Sequence, residues 1–78
     1  MAEDIEILRR AHERENDSRD RRPKYLRSWE YFTVGASQRD IKRLLDEEMV
    51  TISFRSGGVT RYLLTKKAND LVWGMTME

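Results

Sequence analysis

Residues 37–48 read S-Q-R-D-I-K-R-L-L-D-E-E, and their charges run against a helix. Basic side chains (Arg39, Lys42, Arg43) come first and acidic ones (Asp46, Glu47, Glu48) last. A helix macrodipole favours the opposite order, by roughly 0.3–1 kcal/mol per charge near an end. Helix stability alone therefore does not explain the sequence. The bland alternative is a solvated face, in which Lys42 pairs with Asp46 and Arg43 with Glu47 at i, i+4 spacing.

Other chemistries find little support. The 78 residues contain no cysteine and a single histidine, His12. Disulfides, thiolate metal sites and a histidine-based zinc cluster are thus excluded. There is no serine–histidine arrangement and no phosphate-loop motif, so no catalytic residue, metal or cofactor is expected. Glu47 and Glu48 read as surface carboxylates, and His12 as a packing residue of a helix surface. No apolar run approaches the roughly 20 residues of a membrane span, and M-A-E-D lacks the basic and apolar regions of a secretory signal. The expectation is a soluble chain without membrane contact, cytoplasmic or, in a eukaryote, nuclear.

The elements that must position these charges form one small domain over 1–78. Net charge is only +1, yet residues 49–67 carry Arg55, Arg61, Lys66 and Lys67 and no acid, so a local basic surface is available. Residues 3–15 read as a helix with Ile5, Leu8 and Ala11 or His12 as its apolar stripe. Residues 15–23 form a charged loop in which Arg19, Arg21 and Arg22 alternate with Asp17 and Asp20. From Pro23 to Phe32 a second helix is expected, because Tyr25, Trp29 and Phe32 fall at i, i+4 and i+7 and would face the core. Gly35 supplies a turn, and Ser37 with Asp40 makes a capping box for a helix over 37–48, whose buried face is Ile41, Leu44, Leu45 and Met49.

The period then changes to two. Val50, Ile52 and Phe54 alternate with polar residues, and V-T-R-Y-L-L-T follows S-G-G, the pattern of a hairpin. A two-residue Gly57-Gly58 loop places Phe54 opposite Arg61. A three-residue loop including Ser56 instead pairs Phe54 with Thr60, Ile52 with Tyr62 and Val50 with Leu64. The second register is preferred, since it keeps one face apolar and sends Arg55 and Arg61 together to the other. Thr65 caps a terminal helix over 66–77 with Ala68, Leu71, Val72 and Met75 as its stripe.

This order, with A-S-Q-R-D-I-K-R-L-L-D-E-E-M-V followed by a hairpin ending Y-L-L-T, resembles the winged-helix branch of the helix-turn-helix proteins over about residues 24–67. The resemblance implies an α+β fold of three helices, a two-stranded antiparallel wing and a C-terminal helix. It also implies binding to double-stranded DNA by a small transcription regulator, with the front of helix 37–48 in the major groove. Basic residues are then wanted where the helix enters the groove, and acids are tolerated where it leaves. Gln38 and Arg39 become candidates for reading adenine and guanine, and Ser37, Lys42 and Arg43 candidates for phosphates. On the wing, Gly57 and Gly58 permit close approach, and Arg55 and Arg61 reach the backbone or minor groove. Gly57 and Gly58 are equally what any tight hairpin needs.

Trp73 falls off the stripe of the terminal helix. Either the first helix covers it, or Leu71, Trp73 and Met75 form a homodimer interface. The competing function is a winged-helix module that binds protein within a larger assembly, favoured by the near-zero net charge. RNA binding ranks below both, because the wing shows no exposed aromatic for base stacking once Phe54 is placed on the apolar face.

Overall fold

The computed structural model describes residues 2–76. Its elements in order are helix α1 (Ala2–Glu15), two short 3-10 turns (Lys24–Arg27 and Tyr31–Val34), helix α2 (Gln38–Asp46), strands β1 (Val50–Ser56) and β2 (Val59–Leu64), and helix α3 (Lys66–Thr76). Three α-helices and a two-stranded antiparallel sheet make a small α+β fold. Ile7, Leu8 and Ala11 of α1, Ile41 and Leu44 of α2, Val50 and Leu64 of the hairpin, and Ala68 and Val72 of α3 close one core around Trp29.

The second expected helix is replaced by the two 3-10 turns with extended chain between them. Trp29 exchanges backbone hydrogen bonds with Tyr62, its N–H donating at 3.0 Å and its carbonyl accepting at 2.8 Å, so it acts as a one-residue strand beside β2. That geometry breaks the helical period. Trp29 is 1 % exposed, whereas Tyr25 and Phe32, expected in the core, are 66 % and 62 % exposed. Cross-strand pairing of Trp29 with Tyr62 here overrides the helical spacing of Tyr25, Trp29 and Phe32.

The charged loop after α1 is gathered by Arg27. Its guanidinium donates to the carbonyls of Glu15 (2.8 Å), Arg22 (2.9 Å) and Asp20, thereby also satisfying a terminal carbonyl of α1. Arg19 and Arg22 fold onto Asp17 and Asp20, two residues before each.

Gly35 takes the positive φ expected of it (73°) and closes the turn into α2. The capping box is complete: the Asp40 N–H donates to Ser37 Oγ at 3.1 Å, and the Ser37 N–H to Asp40 Oδ2 at 3.0 Å. The far end of α2 comes earlier than the charge pattern suggests. Glu47 is its C-cap and Glu48 lies in the left-handed region at φ 60°, so both stand outside the last helical turn. Of the three acids only Asp46 belongs to the helix, and the inverted charge order is milder than the sequence implies.

The hairpin uses both registers. At its base Val50 pairs with Leu64 and Ile52 with Tyr62; at its tip Phe54 pairs with Arg61, Arg55 with Thr60 and Ser56 with Val59. A bulge between Ile52 and Phe54 joins the two. The Gly57-Gly58 tip supplies the positive φ values (53° and 83°) of a two-residue turn. Because directly paired residues share a face, the bulge moves Phe54 to the face of Arg61 and Arg55 to the opposite one. The expected Phe54–Thr60 pairing and the shared Arg55–Arg61 face are thereby corrected, and Phe54, 52 % exposed, joins no core. Thr65 caps α3 as expected, its Oγ1 accepting from the Ala68 N–H at 3.3 Å.

Candidate nucleic-acid interface

The capping box fixes where α2 begins, and its helical geometry fixes what it shows. Ile41 and Leu44 point into the core. At 100° per residue Gln38, Lys42 and Arg39 then fall on the outward side, with Gln38 on the edge toward the hairpin. Arg39, Lys42 and Gln38 are all exposed. Neither cation has an ion-pair partner among the described residues, so the expected Lys42–Asp46 pair does not form.

Arg43 behaves otherwise. Its Nε donates to Asp4 Oδ2 at 3.1 Å, and its Nη2 reaches both Asp4 Oδ1 and Asp40 Oδ1, the latter at 2.9 Å. Asp4, then Asp40, hold the guanidinium pKa above its ordinary value. The Asp40 carboxyl is held below its own, first by the Ser37 N–H and then by Arg43. A guanidinium clamped by two carboxylates is not offered to phosphate; it ties α2 to α1. The alternative pairing with Glu47 does not form either, since Glu47 lies past the helix end.

Between the first turn of α2 and the hairpin lies a cleft of about 230 Å³, lined among others by Gln38, Glu30, Tyr31, Gly58, Thr60 and Tyr62. Arg55 is exposed on the same hairpin face as Thr60 and has no partner among the described residues. The structure thus brings Ser37, Gln38, Gly58 and Arg55 to one side, with Arg39 and Lys42 on the adjoining helix face. Gly57 completes the tip. Arg61 is on the opposite face, half-buried, with Nη1 donating to the Ser28 carbonyl at 3.3 Å.

The remaining candidates are distributed differently. Trp73 is 52 % exposed and meets His12 of α1 edge-on, with ring centroids 5.5 Å apart, so the first helix covers it in part. Leu71 is exposed; the side chain of Met75 lies outside the described residues. The expectation that the wing lacks an exposed aromatic fails, because the bulge turns Phe54 outward. Glu30 and Tyr31, which line the cleft, escaped notice because residues 23–32 read as a helix. Among the described residues no three His, Cys, Asp or Glu side chains gather as a metal site, and no helix is long and apolar enough to cross a membrane.

Beneath the site sits a buried carboxylate. Glu15 is 1 % exposed, and its Oε2 accepts from Trp29 Nε1 and from the Leu64 N–H, both at 2.8 Å. Burial raises its pKa above the usual 4.5, against the two hydrogen bonds, which lower it. Glu15 continues the Leu8–Ala11 spacing by four more residues, a signal present in the sequence but masked by the residue type. Comparison with protein families, with curated proteins and with solved structures finds no match.

Proposed function

We propose that this chain is a winged-helix domain that binds double-stranded DNA and acts as a small transcription regulator. The observation that supports the reading is the cleft shared by the first turn of α2 and the glycine tip of the hairpin; Arg39, Lys42 and Arg55 lie outside its lining, exposed on the adjoining helix and hairpin faces without ion-pair partners among the described residues. In this reading Gln38 and Arg39 meet base edges, Gln as a bidentate partner of adenine and Arg of guanine. Lys42, Arg55 and the Ser37 end of the helix hold phosphates, and the Gly57-Gly58 tip approaches the backbone closely. Arg43 and Arg61 leave the contact set, the first as a positioning residue.

Fluorescence anisotropy with labelled duplexes tests the proposal. Lys42→Ala should weaken all duplexes alike, whereas Arg39→Ala should lose about 1–3 kcal/mol of discrimination on a preferred site. Wild-type protein that binds duplex no better than these variants would reject it. A protein-interaction module is the second reading. It is favoured by the net charge of +1 and by an apolar groove on the other hairpin face.

A further inference from the structure

The bulge that turns Phe54 outward builds a second surface, which borders the cleft and shares Glu30 and Val59 with it. There Phe54 and Val59 of the hairpin face Tyr25 and Leu26 of the first 3-10 turn across an open groove of about 730 Å³. All four are exposed large apolar side chains. Four large apolar side chains exposed together around one groove offer a small surface for a partner to cover. The charges on the groove indicate what covers it. Its lining carries one acid, Glu30, and one extended base, Arg61. Neither forms a salt bridge among the described residues, and Arg61 spends one nitrogen on the Ser28 carbonyl. An acidic partner would match Arg61 and oppose Glu30, and a basic partner the reverse. A two-fold axis matches both at once, since in an isologous interface residue i meets j of the partner and j meets i.

We propose that this groove is the dimer interface of the chain, occupied by a second copy of itself. Phe54 of each protomer seats between the partner's Tyr25 and the partner's Leu26, and Glu30 of each meets the partner's Arg61. The contact centres on the hairpin face of Phe54, borders the cleft at Glu30 and Val59, and does not involve Trp73. It stands whether or not the cleft binds DNA.

Sedimentation of the full chain without nucleic acid tests it. Wild type should dimerise as concentration rises, and Phe54→Ser should weaken self-association by about tenfold or more with an unchanged far-ultraviolet spectrum. Trp73→Ala should leave it intact. Glu30→Arg and Arg61→Glu should each be monomeric, because each sets like charges against one another twice. An equimolar mixture of the two should recover the dimer, because both cross-contacts are then opposite in sign. If Arg61→Glu proves misfolded through loss of the Ser28 contact, Glu30→Arg and Phe54→Ser decide the matter. A wild type that stays monomeric, charge variants that dimerise like wild type, a mixture of folded variants that does not recover, or Trp73→Ala alone abolishing association would each overturn the proposal.

Discussion

Removing the Glu15 carboxylate should cost this domain much of its stability. In Glu15→Ala the Trp29 indole N–H and the Leu64 amide both lose their acceptor in a site that water does not reach. A buried donor left unpaired costs about 1–3 kcal/mol, so two cost roughly 2–6 kcal/mol. A domain of 78 residues has about 4–12 kcal/mol in total, at roughly 0.05–0.15 kcal/mol per residue. Glu15→Gln keeps one accepting oxygen and removes the ionisation, while placing an amide NH2 where Oε1 has no hydrogen-bond partner, so its pH dependence, not its absolute stability, separates the charge from the hydrogen bonds. Burial raises the Glu15 pKa in the folded state, so the folded protein holds that proton to higher pH than the unfolded chain does. The group's stabilising contribution is full below the ordinary value of 4.5 and declines as pH rises through the raised folded value. Asp17, Asp20 and Asp40, whose pKa values are lowered, act in the opposite sense: their contribution is present above 3.8 and lost as pH falls through their folded values. The difference between wild type and Glu15→Gln isolates Glu15: wild type should lose stability relative to Gln as pH rises above 4.5. Urea unfolding followed by the fluorescence of buried Trp29 reads both effects. An Ala variant within about 0.5 kcal/mol of wild type would refute this, being the range of an ordinary surface substitution.

Three further outcomes follow from the ends and anchors of α2. Glu48→Gly should stabilise by about 0.5–1 kcal/mol in thermal melting, because Glu48 holds a left-handed conformation that glycine adopts freely. Ser37→Ala should lower stability by about 0.5–2 kcal/mol through loss of the cap. Arg43→Ala should lower the melting temperature and, once folded protein is compared at low temperature, leave the salt dependence of duplex binding unchanged, since its guanidinium faces Asp4 and Asp40.

Local rules carried most of the fold. The capping box at Ser37 and Asp40, the positive φ at Gly35, the Thr65 cap and the apolar face of α2 depend on neighbours within a turn, and they stand where composition placed them; on α1 Leu8 and Ala11 are buried as expected, but Ile7 and not Ile5 completes the core face. What depended on partners far along the chain was not legible. Trp29 is a strand residue only because Tyr62 lies beside it, so helical spacing misled for Tyr25 and Phe32. Each hairpin register satisfies part of the pattern, and only a bulge reconciles a Gly-Gly tip with an apolar base; that one extra residue decides that Arg55 and Arg61 part company. Arg43 looked like a phosphate ligand because its main partner, Asp4, is 39 positions away. Arg39 and Lys42 are exposed on the outer face of α2, where the helical pattern placed them.

The salt dependence of duplex affinity bears most directly on the proposed function. Each phosphate neutralised contributes a slope of about −0.9 in log affinity against log salt. Lys42 and Arg55, the two exposed cations assigned to phosphates, therefore give an expected slope of about −1.8, Arg39 being assigned to a base edge. Lys42→Ala and Arg55→Ala should each bring it to about −0.9, and Arg61→Ala, on the far hairpin face, should leave it where it is. Binding too weak to titrate at low salt, or a slope that responds to Arg61 and ignores Lys42 and Arg55, would contradict the assignment of this surface to DNA.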